Sequence, residues 1–308
     1  MKIRISYGTA IQMGLKRGRM LARPFTAYLM TYHDGRCRNN CAFCPQARES
    51  NADVKRLSRV TWPAFELEDV LDGLKRGNFA RICLQTIDYP GMVEDVKELL
   101  KAFQPLNLPT SVSITPVPRE TLVELKELGV DYIGVGLDAS AERIYPIIKD
   151  SLYGWDDMWA FTRDVLEVFG PGSAFVHIII GLGETDREAL ETIQRVYDMG
   201  GSVSLFAFTP IKGTRLESLS PPPLERYRRI QAAHYLIRNG LARVDELEFD
   251  GEELVGFNDL KEKVDPVAFM THGCPGCNRP YYNEKPGKEP YNFPARPEKG
   301  EELLKKFL

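Results

Sequence analysis

Short apolar runs alternate with longer amphipathic ones along most of this chain, and that alternation limits the folds open to it more than any single residue does. The strand-like runs fall at residues 28–31, 81–85, 111–114, 132–137, 174–180 and 203–208. Between them lie segments with apolar residues at helical spacing: 66–77, where Leu67, Val70, Leu71 and Leu74 share a face, then 93–103, 119–128, 156–169, 186–199 and 224–239, the last stopped by Gly240. Six or so strands alternating with helices predict an α/β fold around a parallel sheet, a partial or complete (β/α) barrel of TIM type. Such barrels carry their active groups at the C-terminal ends of the strands. The barrel is expected over residues 25–249, after an N-terminal extension at 1–24. Beyond residue 250 the alternation decays into a proline-rich segment bearing Cys274-Pro275-Gly276-Cys277 and the aromatics Tyr281, Tyr282 and Tyr291. Aromatics are depleted in free tails, so this extension, 250–308, is expected to pin itself over the barrel mouth.

The 308 residues carry 40 Lys+Arg against 43 Asp+Glu, a formal charge of −3, which leaves no polyanion-binding footprint and makes nucleic acid a poor partner. The longest apolar stretch, around residues 175–182, contains His177 and is broken by Gly181, well short of the ~20 residues that cross a bilayer. Residues 1–22 scatter Lys and Arg with no apolar centre, so no secretory signal is read there, and no membrane association is expected. The expected compartment is cytoplasmic, where cysteines stay reduced and serve metals, clusters or catalysis rather than disulfides.

Three of the six cysteines, Cys37, Cys41 and Cys44, fall within one loop directly after the first barrel strand. Three thiolates so close suit an iron-sulfur cluster; a zinc site would need a fourth ligand, for which His33 is near in sequence. The CxxxCxxC spacing, with Phe43 before the third cysteine, resembles the radical S-adenosylmethionine (SAM) superfamily. The resemblance implies a [4Fe-4S] cluster on Cys37, Cys41 and Cys44, with one iron left to bind SAM and a 5′-deoxyadenosyl radical as the product of SAM cleavage.

The flanks Cys44-Pro45-Gln46 and Gly181-Leu182-Gly183-Glu184-Thr185, and the strand ending at Asp138, resemble biotin synthase. That resemblance implies that Asp138 holds the SAM ribose and that Gly181, Gly183 and Glu184 form a turn beside the adenine and methionine portions. A helix N-cap is the plainer role for Asp138. Gln85-Thr86-Ile87-Asp88 stands where many relatives carry Gly-Gly-Glu, which leaves the SAM amino group to Thr86 or nearby main chain. Cys83 matches the first ligand of the biotin synthase auxiliary cluster, the cluster that donates sulfur. The other two ligands would fall near Ser113 and Phe175, neither of them cysteine, so Cys274 and Cys277 are the candidates to complete an auxiliary [4Fe-4S] cluster with Cys83. His272 and Arg243 are candidates for a fourth ligand. The competing readings are a core role for Cys83, and for the tail pair half a zinc knuckle completed by His272 or a redox couple. His177 and His234 read first as core histidines.

The run from Gly273 to Glu284 resembles the two-protein lipoyl synthases. This implies a radical SAM sulfurtransferase that adds sulfur to C6 or C8 of an octanoyl chain, aided by an octanoylated lipoyl carrier domain, a related second lipoyl synthase subunit and a reductant protein. Ile114, Val135, Ile179 and Phe206 are expected to line an apolar channel between the clusters. The alternatives are biotin-synthase-like sulfur insertion into dethiobiotin, or a non-sulfur radical SAM reaction with a structural zinc in the tail.

Overall fold

The computed structural model describes residues 1–308. The chain opens with β1 (Lys2–Ile5) and α1 (Tyr7–Gln12), then β2 (Thr26–Thr31), a small hairpin of β3 (Arg56–Leu57) and β4 (Val60–Thr61), and β5 (Ala64–Glu66) running into α2 (Leu67–Arg76). From there strands and helices alternate as the sequence predicts: β6 (Arg81–Gln85), α3 (Met92–Phe103), β7 (Thr110–Ile114), α4 (Arg119–Glu127), β8 (Val130–Asp138), α5 (Tyr145–Lys149), α6 (Trp155–Phe169), β9 (Ala174–Ile180), α7 (Asp186–Asp198), β10 (Ser202–Ala207) and α8 (Leu224–Arg238). A last hairpin, β11 (Glu248–Asp250) with β12 (Glu253–Gly256), precedes α9 (Gly300–Phe307).

The main sheet has eight strands in the order β10-β9-β8-β7-β6-β2-β1-β5. The six from β2 to β10 are parallel neighbours, whereas β1 is antiparallel to both β2 and β5. Residues 1–24 thus contribute a strand to the main sheet, β1, which sits between β2 and the edge strand β5. No pairing joins β10 to β5, so the barrel is partial and open along one side.

Strand alternation divides the side chains into two sets. Val112, Ile133, Val135, Val176, Ile178, Ile180, Val203 and Leu205 are buried in the layer under the helices. Their alternates, among them Cys83, Ser111, Ser113, Gly134, Gly136, His177, Ile179, Ser204 and Phe206, face the barrel interior. Val135, expected in the channel, thus belongs to the outer core, one residue out of phase with Gly134 and Gly136. At Gly134 a Cβ would stand 2.3 Å from Ser113 Oγ and 3.0 Å from His177 Nε2, so the interior has no room for a side chain there.

The stretch of the C-terminal extension that carries Cys274 and Cys277 does not lie at the mouth. It closes the opposite end, where the strands begin: Thr26 Oγ1 donates to the Gly276 carbonyl at 3.0 Å, Arg81 Nε to that of Pro275 at 3.1 Å, and the Phe25 amide to Asn278 Oδ1 at 3.1 Å. The tail then climbs the open side, where Asn283 Nδ2 donates to Thr209 Oγ1 at 3.0 Å and Arg59 Nη2 to the Tyr281 carbonyl at 2.6 Å. A sheet that stops short of closure leaves interior exposed on its open side, and the tail covers it.

Candidate active site

A cavity of about 270 Å³ runs through the barrel, and all six thiols line it. Cys37, Cys41 and Cys44 stand in the loop after β2, at the C-terminal ends of the strands. Gln46 fixes this loop by donating from Nε2 to the carbonyls of Val54 and Arg56, both at 2.6 Å, while Arg38 pairs with the buried Asp88. The Asp88 amide donates to Cys37 Sγ at 3.2 Å, a hydrogen bond that favours a thiolate. Cys83, midway along β6, lines the same cavity as Cys274 and Cys277 from the tail. No thiol is in a disulfide.

Burial pushes the Cys37, Cys41 and Cys44 thiols above their ordinary value; neighbouring thiolates add to it at Cys41 and Cys44, Asp88 adds to it at Cys37, and Lys149 opposes it at all three. Burial and the adjacent Cys274 and Cys277 likewise push up Cys83, and burial followed by the Cys277 charge pushes Cys274 up to about 12. A cationic centre bound among either group of thiols would favour their ionised form. No three His, Cys, Asp or Glu side chains are gathered as they would be around a single metal ion.

Asp138 ends β8 in a left-handed conformation, φ 62°, and lines the cavity. It caps no helix; its Oδ2 pairs at 2.5 Å with Lys149 Nζ, which also donates to the Gly136 carbonyl at 2.7 Å. Lys149 is buried under Phe43 with its charge beside Cys41, a site residue that the sequence reading missed. Thr86 lines the cavity, and its hydroxyl is spent on the Ser113 carbonyl at 3.0 Å.

Gly181 and Gly183 adopt φ of 104° and 109°, forming the expected turn after β9. The Glu184 carboxylate folds back into this turn: it accepts the Gly181 and Leu182 amides at 2.8 and 2.9 Å and pairs with Arg226 at 3.0 Å. Its oxygens shape the turn and are not offered to a ligand, and the three residues lie outside the cavity lining. Ile114, Ile179 and Phe206 do line the cavity, as does His177, whose pKa burial lowers to about 4 against the pull of Asp138.

The other histidines stay out of both thiol groups. His33 stacks on Tyr89, with ring centroids 4.5 Å apart. His234 is buried in α8 against the Tyr197 hydroxyl at 2.8 Å, a core histidine as expected. His272 turns toward His234 and Arg238, and Arg243 is an exposed partner of Asp198 at 2.9 Å, so neither candidate fourth ligand faces Cys83. The arginine that does is Arg279, which lies over Phe206 and lines the cavity.

The radical SAM superfamily model matches residues 31–196, from the end of β2 into α7, and so takes in the CxxxCxxC loop. The chain belongs to the radical SAM superfamily. Among curated proteins it is similar to biotin synthase of Rickettsia felis, 27% identical over 269 residues that cover 83% of this chain and 79% of that one. It is also 25% identical to biotin synthase of Coxiella burnetii over 271 residues, 83% of this chain and 76% of the relative. Among solved structures, methylornithine synthase superposes with a TM-score of 0.55 at 17% identity, covering 71% of this chain and 64% of that one. The FeFe-hydrogenase maturase from Carboxydothermus hydrogenoformans gives 0.53 at 18% identity, covering 70% and 52%. These two, each spanned for less than two thirds of its length, support the partial barrel alone. A radical SAM chain implies a [4Fe-4S] cluster and SAM, and Cys37, Cys41 and Cys44 fit the cluster by number, cavity position and the amide bond to Cys37. No helix of the chain is long and apolar enough to cross a membrane.

Proposed function

We propose that this chain is a radical SAM sulfurtransferase that inserts sulfur at an unactivated carbon, its substrate an octanoyl chain carried on a lipoyl domain. The observation that carries the reading is the convergence of Cys83 with Cys274 and Cys277, distant in sequence, at the end of the same cavity that Cys37, Cys41 and Cys44 occupy from the other side. When bound, the SAM-ligated cluster supplies a 5′-deoxyadenosyl radical and the second cluster supplies sulfide.

The protein's own groups shape the space between. Asp138, with Oδ2 held by Lys149, keeps Oδ1 for a sugar hydroxyl. Ile114, Ile179 and Phe206 exclude water around an alkyl chain, and the neutral His177 ring offers one polar partner to an amide or ureido group. The tail seals the lower end, so a carrier-borne arm would enter from the mouth. A carrier domain, a related second subunit and a reductant protein are the partners this reading requires. The curated relatives, both named biotin synthase, favour a second reading in which dethiobiotin is the substrate.

Anaerobic incubation of the reconstituted protein with SAM, reductant and either an octanoyl-lysine peptide or dethiobiotin, followed by mass spectrometry, separates the two. Sulfur gain on the peptide supports the first reading and gain on dethiobiotin the second. SAM cleavage with no sulfur gain on either, in protein holding both clusters, would overturn sulfur insertion.

A further inference from the structure

Tyr28 lies in the middle of β2 with its ring buried, and its hydroxyl reaches the tail segment that carries Cys277. The phenolic oxygen accepts the main-chain amide of Asn278 at 3.0 Å and that of Arg279 at 2.8 Å. Cys277 Sγ stands 3.6 Å from the same oxygen, within reach of a hydrogen bond to sulfur. A phenol has two acceptor sites and one proton. With both acceptor sites taken by backbone N–H groups, the one O–H points to the sulfur.

We propose that Tyr28 is a positioning residue of the auxiliary centre, whose hydroxyl donates a hydrogen bond to the Cys277 thiolate and so sets the reduction potential of the cluster held there. This rests on the reading that Cys83, Cys274 and Cys277 hold a second cluster. A hydrogen bond to a ligating sulfur withdraws charge from it and favours the reduced, more negative cluster, moving the potential upward. The two amide bonds fix the direction of the donor and orient the backbone on which both Cys277 and Arg279 sit. Because β2 leads directly into the loop of Cys37, Cys41 and Cys44, one strand sets the surroundings of both thiol groups.

The test compares wild type with Tyr28→Phe, which keeps the ring and removes the oxygen, by iron content and by anaerobic redox titration of both clusters with spectroscopic detection. Expected are about eight iron per chain in both proteins, an auxiliary potential moved to more negative values, and an unchanged potential for the cluster on Cys37, Cys41 and Cys44. Full iron with an unmoved auxiliary potential would overturn the proposal. If the variant fails to hold its second cluster, replacing Tyr28 by 3-fluorotyrosine keeps the geometry and strengthens the donor: the auxiliary potential should then rise, and no change would count against the role. About four iron in the wild type itself would instead refute the second cluster, which is a separate failure.

Discussion

Replacing Arg228 by Met should release the tail while leaving the barrel folded. Arg228, on α8, has a side chain with no solvent exposure, lying between the rings of Phe269 and Phe293, each centroid 5.1 Å away. Its guanidinium donates to Gln231 Oε1 at 2.6 Å, to the Tyr291 carbonyl at 2.5 Å and to that of Pro290. Burial lowers its pKa to about 10, so it is charged at neutral pH. Two of these bonds hold the tail directly. At about 1.5–3 kcal/mol for each hydrogen bond to a charged group, they contribute about 3–6 kcal/mol to docking. Nε lacks a partner, which offsets part of this, and about 3 kcal/mol is the working figure. That is roughly a hundredfold in the ratio of docked to released tail. Met fills much of the volume and leaves the two carbonyls without their donor. Because the barrel strands do not depend on these bonds, release should be local. The assay is limited trypsin digestion under anaerobic conditions, cutting after Lys288 or Lys299, since Lys285 and Arg296 each precede a proline, together with iron analysis. Cleavage in the tail should be faster by roughly that factor, while the Cys274–Cys277 segment, held separately by Thr26, Tyr28 and Arg81, keeps its iron. Cleavage at the wild-type rate would refute the reasoning.

Lys149→Met should cost about 3–5 kcal/mol in stability and weaken SAM binding, because it leaves Asp138 without its partner inside the cavity; a thermal midpoint and SAM affinity equal to wild type would count against the pair's role. Glu184→Ala strands the amides of Gly181 and Leu182 and should destabilise the protein by about 2–4 kcal/mol, read by anaerobic denaturant unfolding. His177 titrates at about 4 when folded against its ordinary 6.5. Its folded pKa lies below the unfolded one, so the unfolded chain binds more protons between those values and stability falls as pH drops through that window, by up to about 1.4 kcal/mol per pH unit. His177→Gln should flatten this acid dependence; an unchanged slope would assign it to other groups.

The parallel strands and their helices were legible because apolar runs alternate with segments that bury one helical face. Cys37, Cys41 and Cys44 were legible because a short loop brings them together. β1 was not: four residues with a charged Lys2 and Arg4 carry too weak a pattern, and its place in the sheet depends on pairing with β2 and β5. Val135 was misplaced by one step of strand phase, which local sequence cannot fix in a run buried on both sides. The tail's course was also hidden. Its anchors, Arg81, Arg228 and Tyr28, are up to about 250 residues away in sequence, and only the open side of the barrel explains why it goes to the strand beginnings. Glu184 shows the reverse case, a correctly located turn whose carboxylate the fold uses for itself.

The account turns on two thiol groups, each holding a cluster, at opposite ends of one cavity. Iron and sulfide analysis with Mössbauer spectroscopy of the anaerobically reconstituted chain tests it most directly, run beside the variants Cys41→Ala and Cys83→Ala/Cys277→Ala. The account predicts about eight iron in the wild type and about four in each variant, with SAM cleavage lost only in Cys41→Ala. About four iron in the wild type, unaltered when Cys83 and Cys277 are removed, would contradict it.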